Sequence, residues 1–141
     1  LSRARLVNAA AVFVTPEIRR TAAYYRDVFG FTVVEHYDAE EAFATIYRDD
    51  VEIVLVQARH GEVQSNTARH GAGFDLYLDP DTVEGVDSIY DELKAKGARI
   101  VREPSTTAYG SYEFVLEDVD GRMIGIGRIR DRDTFFRGTF G

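Results

Sequence analysis

The chain has 141 residues, a net charge of −7, no cysteine, and 45% apolar residues of the AVILMFWYC class. That is the size of one domain with enough apolar material for a core. The composition excludes disulfides, thiolate metal sites and cysteine nucleophiles, and an acidic balance without a basic footprint argues against nucleic acid. No apolar run approaches the roughly 20 residues a membrane span needs, so a cytoplasmic protein is expected.

The N-terminal segment imitates a signal peptide for a few residues, but charges return at once in TPEIRR, and NAAAVFVT (8–15) reads as a first strand. PEIRRTAAYYRDVFG (16–30) reads as a helix with Pro16 in its first turn and Gly30 at its end. Ile18, Ala22, Tyr25 and Phe29 share one helical face. FTVVEHYD (31–38), AFATIYRD (42–49) and VEIVLVQ (51–57) read as strands, the last two joined by a turn at Asp49–Asp50. A polar, glycine-containing stretch, residues 59–72, reads as a linker. GFDLYLD (73–79), a helix over 82–97 with Val86, Ile89, Tyr90 and Leu93 on one face, and the strands ARIVREP (98–104), YEFVLED (112–118) and RMIGIGR (122–128) complete the chain, before a tail over 130–141.

The two halves repeat the same order. FATIYRDDVEIVLVQ from Phe43 lies over FVLEDVDGRMIGIGR from Phe114, 71 residues on, placing Asp49 on Asp120 and Val54 on Gly125. The expectation is an α+β fold of two βαβββ modules, residues 6–58 and 73–129.

On these elements the chain resembles the vicinal oxygen chelate superfamily of glyoxalases, bleomycin-resistance proteins and dioxygenases. The resemblance spans roughly residues 6–130 and rests on YYRDVFGF (24–31), IVREP (100–104), YG (109–110) and EDVDGRMIGI (117–126), with Val119 and Arg122 where the family usually has Pro and Asn. The short acidic chain and FATIYRDDV are most similar to the bleomycin-resistance branch. The resemblance implies modules whose sheets curl into a half-open barrel around a central cavity, and a divalent metal there in the family's enzymes. Carried over by counting along the motifs, the four ligand positions fall on Ala10, Val54, Gly73 and Gly125, none of which offers a donor, so no metal or other cofactor is expected. His36, His60 and His70 read as ordinary exposed histidines.

Strand alternation puts Phe74, Leu76 and Leu78 against the helices and turns Asp75 and Tyr77 toward the implied cavity. It does the same for Glu113 and Val115, between Phe114 and Leu116. Tyr109 stands at the implied cavity mouth, Met123 offers an adaptable wall, and Gly125 and Gly127 leave space that an organic ligand is expected to fill. The candidate ligand contacts are therefore Asp75, Tyr77, Tyr109, Glu113, Met123 and Val54, with no catalytic residue assigned. The expected function is metal-independent binding of a small molecule, a cationic or aromatic antibiotic or metabolite. The alternatives are a metal-dependent lyase or dioxygenase of the same superfamily, or a non-catalytic interaction module. The three phenylalanines of the tail, Phe135, Phe136 and Phe140, point to a homodimer.

Overall fold

The computed structural model describes residues 3–140, with the side chains of 138–140 left outside the description. The fold class is the one expected: α+β, with two four-stranded mixed sheets, each carrying a helix. The chain divides into two compact units that meet between Glu62 and Val63. No helix among the described residues is long and apolar enough to cross a membrane.

The first unit runs β1 (Ala11–Thr15), α1 (Ile18–Asp27), β2 (Thr32–His36), β3 (Phe43–Arg48) and β4 (Val51–Gln57), with strand order β1-β4-β3-β2. β1 is parallel to β4 and the other pairs are antiparallel. The apolar face expected of α1 is buried: Ile18, Ala22, Tyr25 and Phe29 are each 5% exposed or less. Tyr25 stacks on Phe29 with centroids 5.5 Å apart and meets Phe31 edge-on at 5.6 Å. Ala44, Ile46, Ile53 and Leu55 close this core from the sheet, and burying each large side chain stabilises the unit by about 1.5–3 kcal/mol. Glu17 does not cap α1 through its side chain. Gln57 does the work instead, accepting from Ile18 N–H (3.0 Å) and donating to Pro16 C=O (2.7 Å).

The second unit runs α2 (Asn66–His70), β5 (Leu76–Leu78), α3 (Val83–Ala95), β6 (Arg99–Thr106), β7 (Ser111–Glu117), β8 (Met123–Ile129) and α4 (Arg132–Phe140), with strand order β5-β8-β7-β6. Val86 and Leu93 of α3 are fully buried, and the Tyr90 ring meets Phe114 edge-on at 5.3 Å. Two short helices stand where a linker and a tail are expected. α2 is started by the Ser65 hydroxyl accepting from Ala68 N–H and ended by Gly71 in the left-handed region (φ 74°). α4 is started by Asp131, whose carboxylate accepts from Thr134 N–H at 3.0 Å.

Cross-strand register corrects the repeat at two places. Ile46 pairs with Ile53, and Leu116 with Ile124. The offset of 71 therefore holds for β4 and β8 but is 70 for β3 and β7, so Phe43 matches Glu113 and not Phe114. The turn Asp118–Arg122 holds the extra residue. It is wound around a buried carboxylate: Asp118 Oδ1 accepts from Asp120 N–H and Arg122 N–H, both at 2.9 Å, and the buried Arg122 guanidinium reaches Asp118 and Asp120. The second correction concerns β5. Val12 pairs with Val54, and Tyr77 pairs with Gly125. Val12 lies five residues before Glu17, the N-cap of α1, and Tyr77 five before Thr82, the N-cap of α3. Tyr77 is thus the counterpart of Val12, and Asp75, not Gly73, is the counterpart of Ala10. The expected strand 73–79 is only three residues long, and Gly73 lies before it with φ 93°.

Candidate functional site

Three of the six expected contacts converge in the second unit. Glu113 is fully buried on β7. Its Oε1 accepts from Tyr77 Oη at 2.9 Å and from Tyr109 Oη at 2.6 Å, and its Oε2 accepts from Arg102 Nη2. With the Tyr77 O–H directed at the carboxylate, the Ser111 hydroxyl donates to Tyr77 Oη. Burial costs a carboxylate several kcal/mol unless it is paired and hydrogen-bonded; Glu113 has a guanidinium and two phenols.

Local structure explains how each group arrives. Tyr109 is turned back onto Glu113 by the Thr107–Gly110 turn, closed by Gly110 N–H on Thr107 C=O at 3.0 Å, with Gly110 at φ 88°. Tyr77 reaches Glu113 across β8 because Gly125 and Gly127 have no side chains. A Cβ on Gly125 would lie 2.9 Å from Tyr77 Cδ2, and one on Gly127 would collide with Tyr77 Oη and Glu113 Cβ. This corrects the expectation about the glycines: the space they leave is filled by the protein's own Tyr77 ring, with Phe74 beside it (centroids 5.4 Å apart). Arg102 was not expected here. Strict alternation puts it with Ile100, which pairs with Leu116 on the helix side, but Arg102 pairs with Val115. A bulge between Ile100 and Arg102 moves the guanidinium to the Glu113 face. Ser111, also unforeseen, is buried beside Tyr77.

Asp75 has a structural task of its own. Its Oδ1 accepts from Asn66 N–H at 3.0 Å and its Oδ2 from Met123 N–H at 2.8 Å, so the carboxylate fastens the start of α2 to the start of β8. Met123 is half-buried next to it. Val54 lies in the first unit between Val12 and Thr45, on the sheet face opposite the buried Ile53 and Leu55. The phenols of Tyr77 and Tyr109 are both raised above the ordinary tyrosine value, first by burial and then by the Glu113 carboxylate, against which the Ser111 hydroxyl pulls Tyr77 down. Tyr77 is 39% exposed and Tyr109 51%, so each stays partly in solvent.

A second feature lies in the first unit: an open depression of about 350 Å³ lined by Arg19, Glu35, His36, Tyr37, Asp38 and Phe43. The Arg19 guanidinium sits 4.4 Å above the Tyr37 ring, and His36 stacks on Phe43 at 4.6 Å. Its walls come from one hairpin, with Arg19 added from α1. The buried carboxylate cluster of the second unit is the more strongly organised arrangement.

The fold and this repeat define a class of paired βαβββ proteins. The family model of the glyoxalase/bleomycin resistance protein/dioxygenase superfamily matches residues 7–126, and the chain belongs to that superfamily. No curated protein matches it. Among solved structures it is similar to a glyoxylase/bleomycin resistance protein/dioxygenase domain from Frankia sp. EAN1pec, with 15% identity and a TM-score of 0.70, covering 90% of this chain and 100% of that one. It is also similar to the genomically encoded fosfomycin resistance protein FosX from Listeria monocytogenes (13% identity, TM-score 0.69, 93% of this chain and 97% of that one). A third is a glyoxalase/bleomycin resistance protein/dioxygenase family enzyme from Burkholderia phytofirmans PsJN (22% identity, TM-score 0.59, 85% of this chain and 96% of that one). At these identities the likeness concerns the fold.

The donor set can be weighed against the divalent metal that the resemblance implies for the family's enzymes. With the second module's register corrected, the four positions are Ala10, Val54, Asp75 and Gly125. They offer one carboxylate, and both its oxygens already accept backbone N–H groups. Among the described residues no group of three or more His, Asp and Glu gathers to hold a metal ion. These residues do not fit a metal held by the protein alone.

Proposed function

We propose that the chain is a metal-independent binding protein for a small aromatic molecule, an antibiotic or metabolite that it holds and does not transform. The observation that carries this reading is the fully buried Glu113, which fixes Tyr77 and Tyr109 by their hydroxyls on one oxygen while both tyrosines stay partly exposed. Rings anchored at the hydroxyl lose little freedom when a flat ligand stacks on them, and aromatic contacts add about 0.5–1.5 kcal/mol beyond area burial. The reading takes the protein as cytoplasmic and as a homodimer, the latter supported by Phe135 and Phe136, which stay 38% and 39% exposed on α4; the Phe140 side chain lies outside the described residues.

Isothermal titration with a panel of aromatic antibiotics and metabolites tests it. Micromolar binding of at least one compound, weakened tenfold or more by Tyr109→Ala, is the expected outcome; no binding across the panel refutes it. Elemental analysis tests the metal-dependent alternative, and stoichiometric metal surviving dialysis would favour that alternative. Sedimentation at high micromolar concentration reads the dimer.

A further inference from the structure

We infer that the Tyr77–Tyr109 face selects an aromatic anion over an aromatic cation, with the Arg102 guanidinium as the group that makes the choice. This deepens the small-molecule reading and rests on it. Net charge and the carboxylates of Glu113 and Asp75 point the other way at first sight, but both are already engaged as acceptors within the protein. Glu113 is fully buried and accepts from Tyr77, Tyr109 and Arg102. Asp75 accepts from two backbone N–H groups.

Arg99 and Glu117, further along the same two strands, are paired at 3.2 Å. Glu103 follows Arg102 in the chain, and its charge helps to raise the Lys94 ammonium of α3. Arg102 is different: its side chain is 47% exposed, and only one N–H, on Nη2, is directed at Glu113. The ion pair is therefore a dipole with its negative end buried and its positive end in solvent, flanked by two exposed phenol rings. A guanidinium presents five N–H donors in a planar fork that matches a carboxylate. Both phenol protons already point at Glu113, so the donors on offer to a ligand come from Arg102. A flat ring carrying a carboxylate finds stacking surface and donors together; the same ring carrying an ammonium finds the stacking surface and an opposing cation.

The test compares 2-naphthoate, 2-naphthylmethanol and 2-naphthylmethylamine by isothermal titration on the intact chain. The naphthoate is expected to bind about tenfold tighter than the amine, as charge-assisted bidentate hydrogen bonds allow, with the alcohol between them. Arg102→Gln alone would strand a buried charge, so the decisive variant is Arg102→Gln with Glu113→Gln, which keeps the pair neutral. There the ratio of naphthoate to alcohol affinity is expected to fall to about one, the alcohol reporting whatever the substitutions do to the ring face itself. Arg102→Lys, which leaves Glu113 paired but lacks the fork, is expected to keep a reduced preference. Equal or tighter binding of the amine, or a preference unchanged in both variants, overturns the anion inference and leaves the small-molecule reading standing. Failure of all three probes to bind up to millimolar concentration counts against that reading itself.

Discussion

Gly127→Ala separates two roles for the glycines of β8: leaving room for a ligand, or letting Tyr77 lie flat. The new methyl would collide with Tyr77 Oη and Glu113 Cβ and stand 3.0 Å from Ser111 Oγ. The tyrosine can yield, since its ring is 39% exposed, but swinging out breaks its hydrogen bonds to Glu113 and Ser111. A hydrogen bond to a charged group is worth about 1.5–3 kcal/mol and a neutral one about 0.5–1.5. Alanine in a strand recovers about 0.5–1 kcal/mol over glycine. Glu113 Cβ belongs to a central strand and cannot move away as a ring can, so the net loss is expected at about 2–3 kcal/mol. Gly125→Ala is the internal comparison: its methyl would meet Tyr77 Cδ2 at 2.9 Å and Phe74 Cε1 at 3.1 Å, atoms of rings that can tilt, and about 1 kcal/mol or less is expected. Urea unfolding followed by circular dichroism measures both. A Gly127→Ala protein as stable as the wild type, or less affected than Gly125→Ala, would refute the packing role.

Asp75→Ala should cost about 1–3 kcal/mol by stranding the Met123 and Asn66 N–H groups, and hydrogen exchange should speed up first at those two amides. The raised Tyr77 phenol makes a linkage prediction. The unfolded chain releases this proton near pH 10 while the folded chain holds it, so the contribution is whole below about pH 10 and is lost as pH rises further. Tyr77→Phe should flatten that alkaline decline in the urea midpoint and remove a strongly alkaline step from the tyrosinate absorbance. Arg122→Met leaves Asp118 buried without its guanidinium and is expected to cost about 3–5 kcal/mol, read by thermal unfolding.

The helix faces were legible from spacing, because Ile18, Ala22, Tyr25 and Phe29 have no other way to be buried together. Alternation also set Glu113 apart from Phe114 and Leu116 correctly. What the sequence hid depends on register. The bulge that turns Arg102 toward Glu113 has no marker in IVREP, and the extra residue of the Asp118–Arg122 turn shifts the hand alignment of β3 on β7 by one. A count back from LYLD could not know that β5 keeps the spacing of β1 to its helix cap, which is why Asp75 went unmatched with Ala10. The caps of α2 and α4 were readable: Ser65 with Gly71, and Asp131. Without apolar periodicity, though, neither segment stands out from a loop.

The irregular β6 also bears on how such a chain stays unaggregated. As one of the two outer strands of its sheet it carries Arg99, Arg102, Glu103 and Pro104 and breaks register twice. β2, its counterpart, runs five residues in unbroken register with neither proline nor bulge. Charges, prolines and bulges are what keep an outer strand from templating another chain. The residues that build the Arg102 site therefore also blunt that edge of their sheet, whereas the outer strands of the first unit, Ala11–Thr15 and Thr32–His36, have no such break and are where backbone pairing between chains would be least opposed.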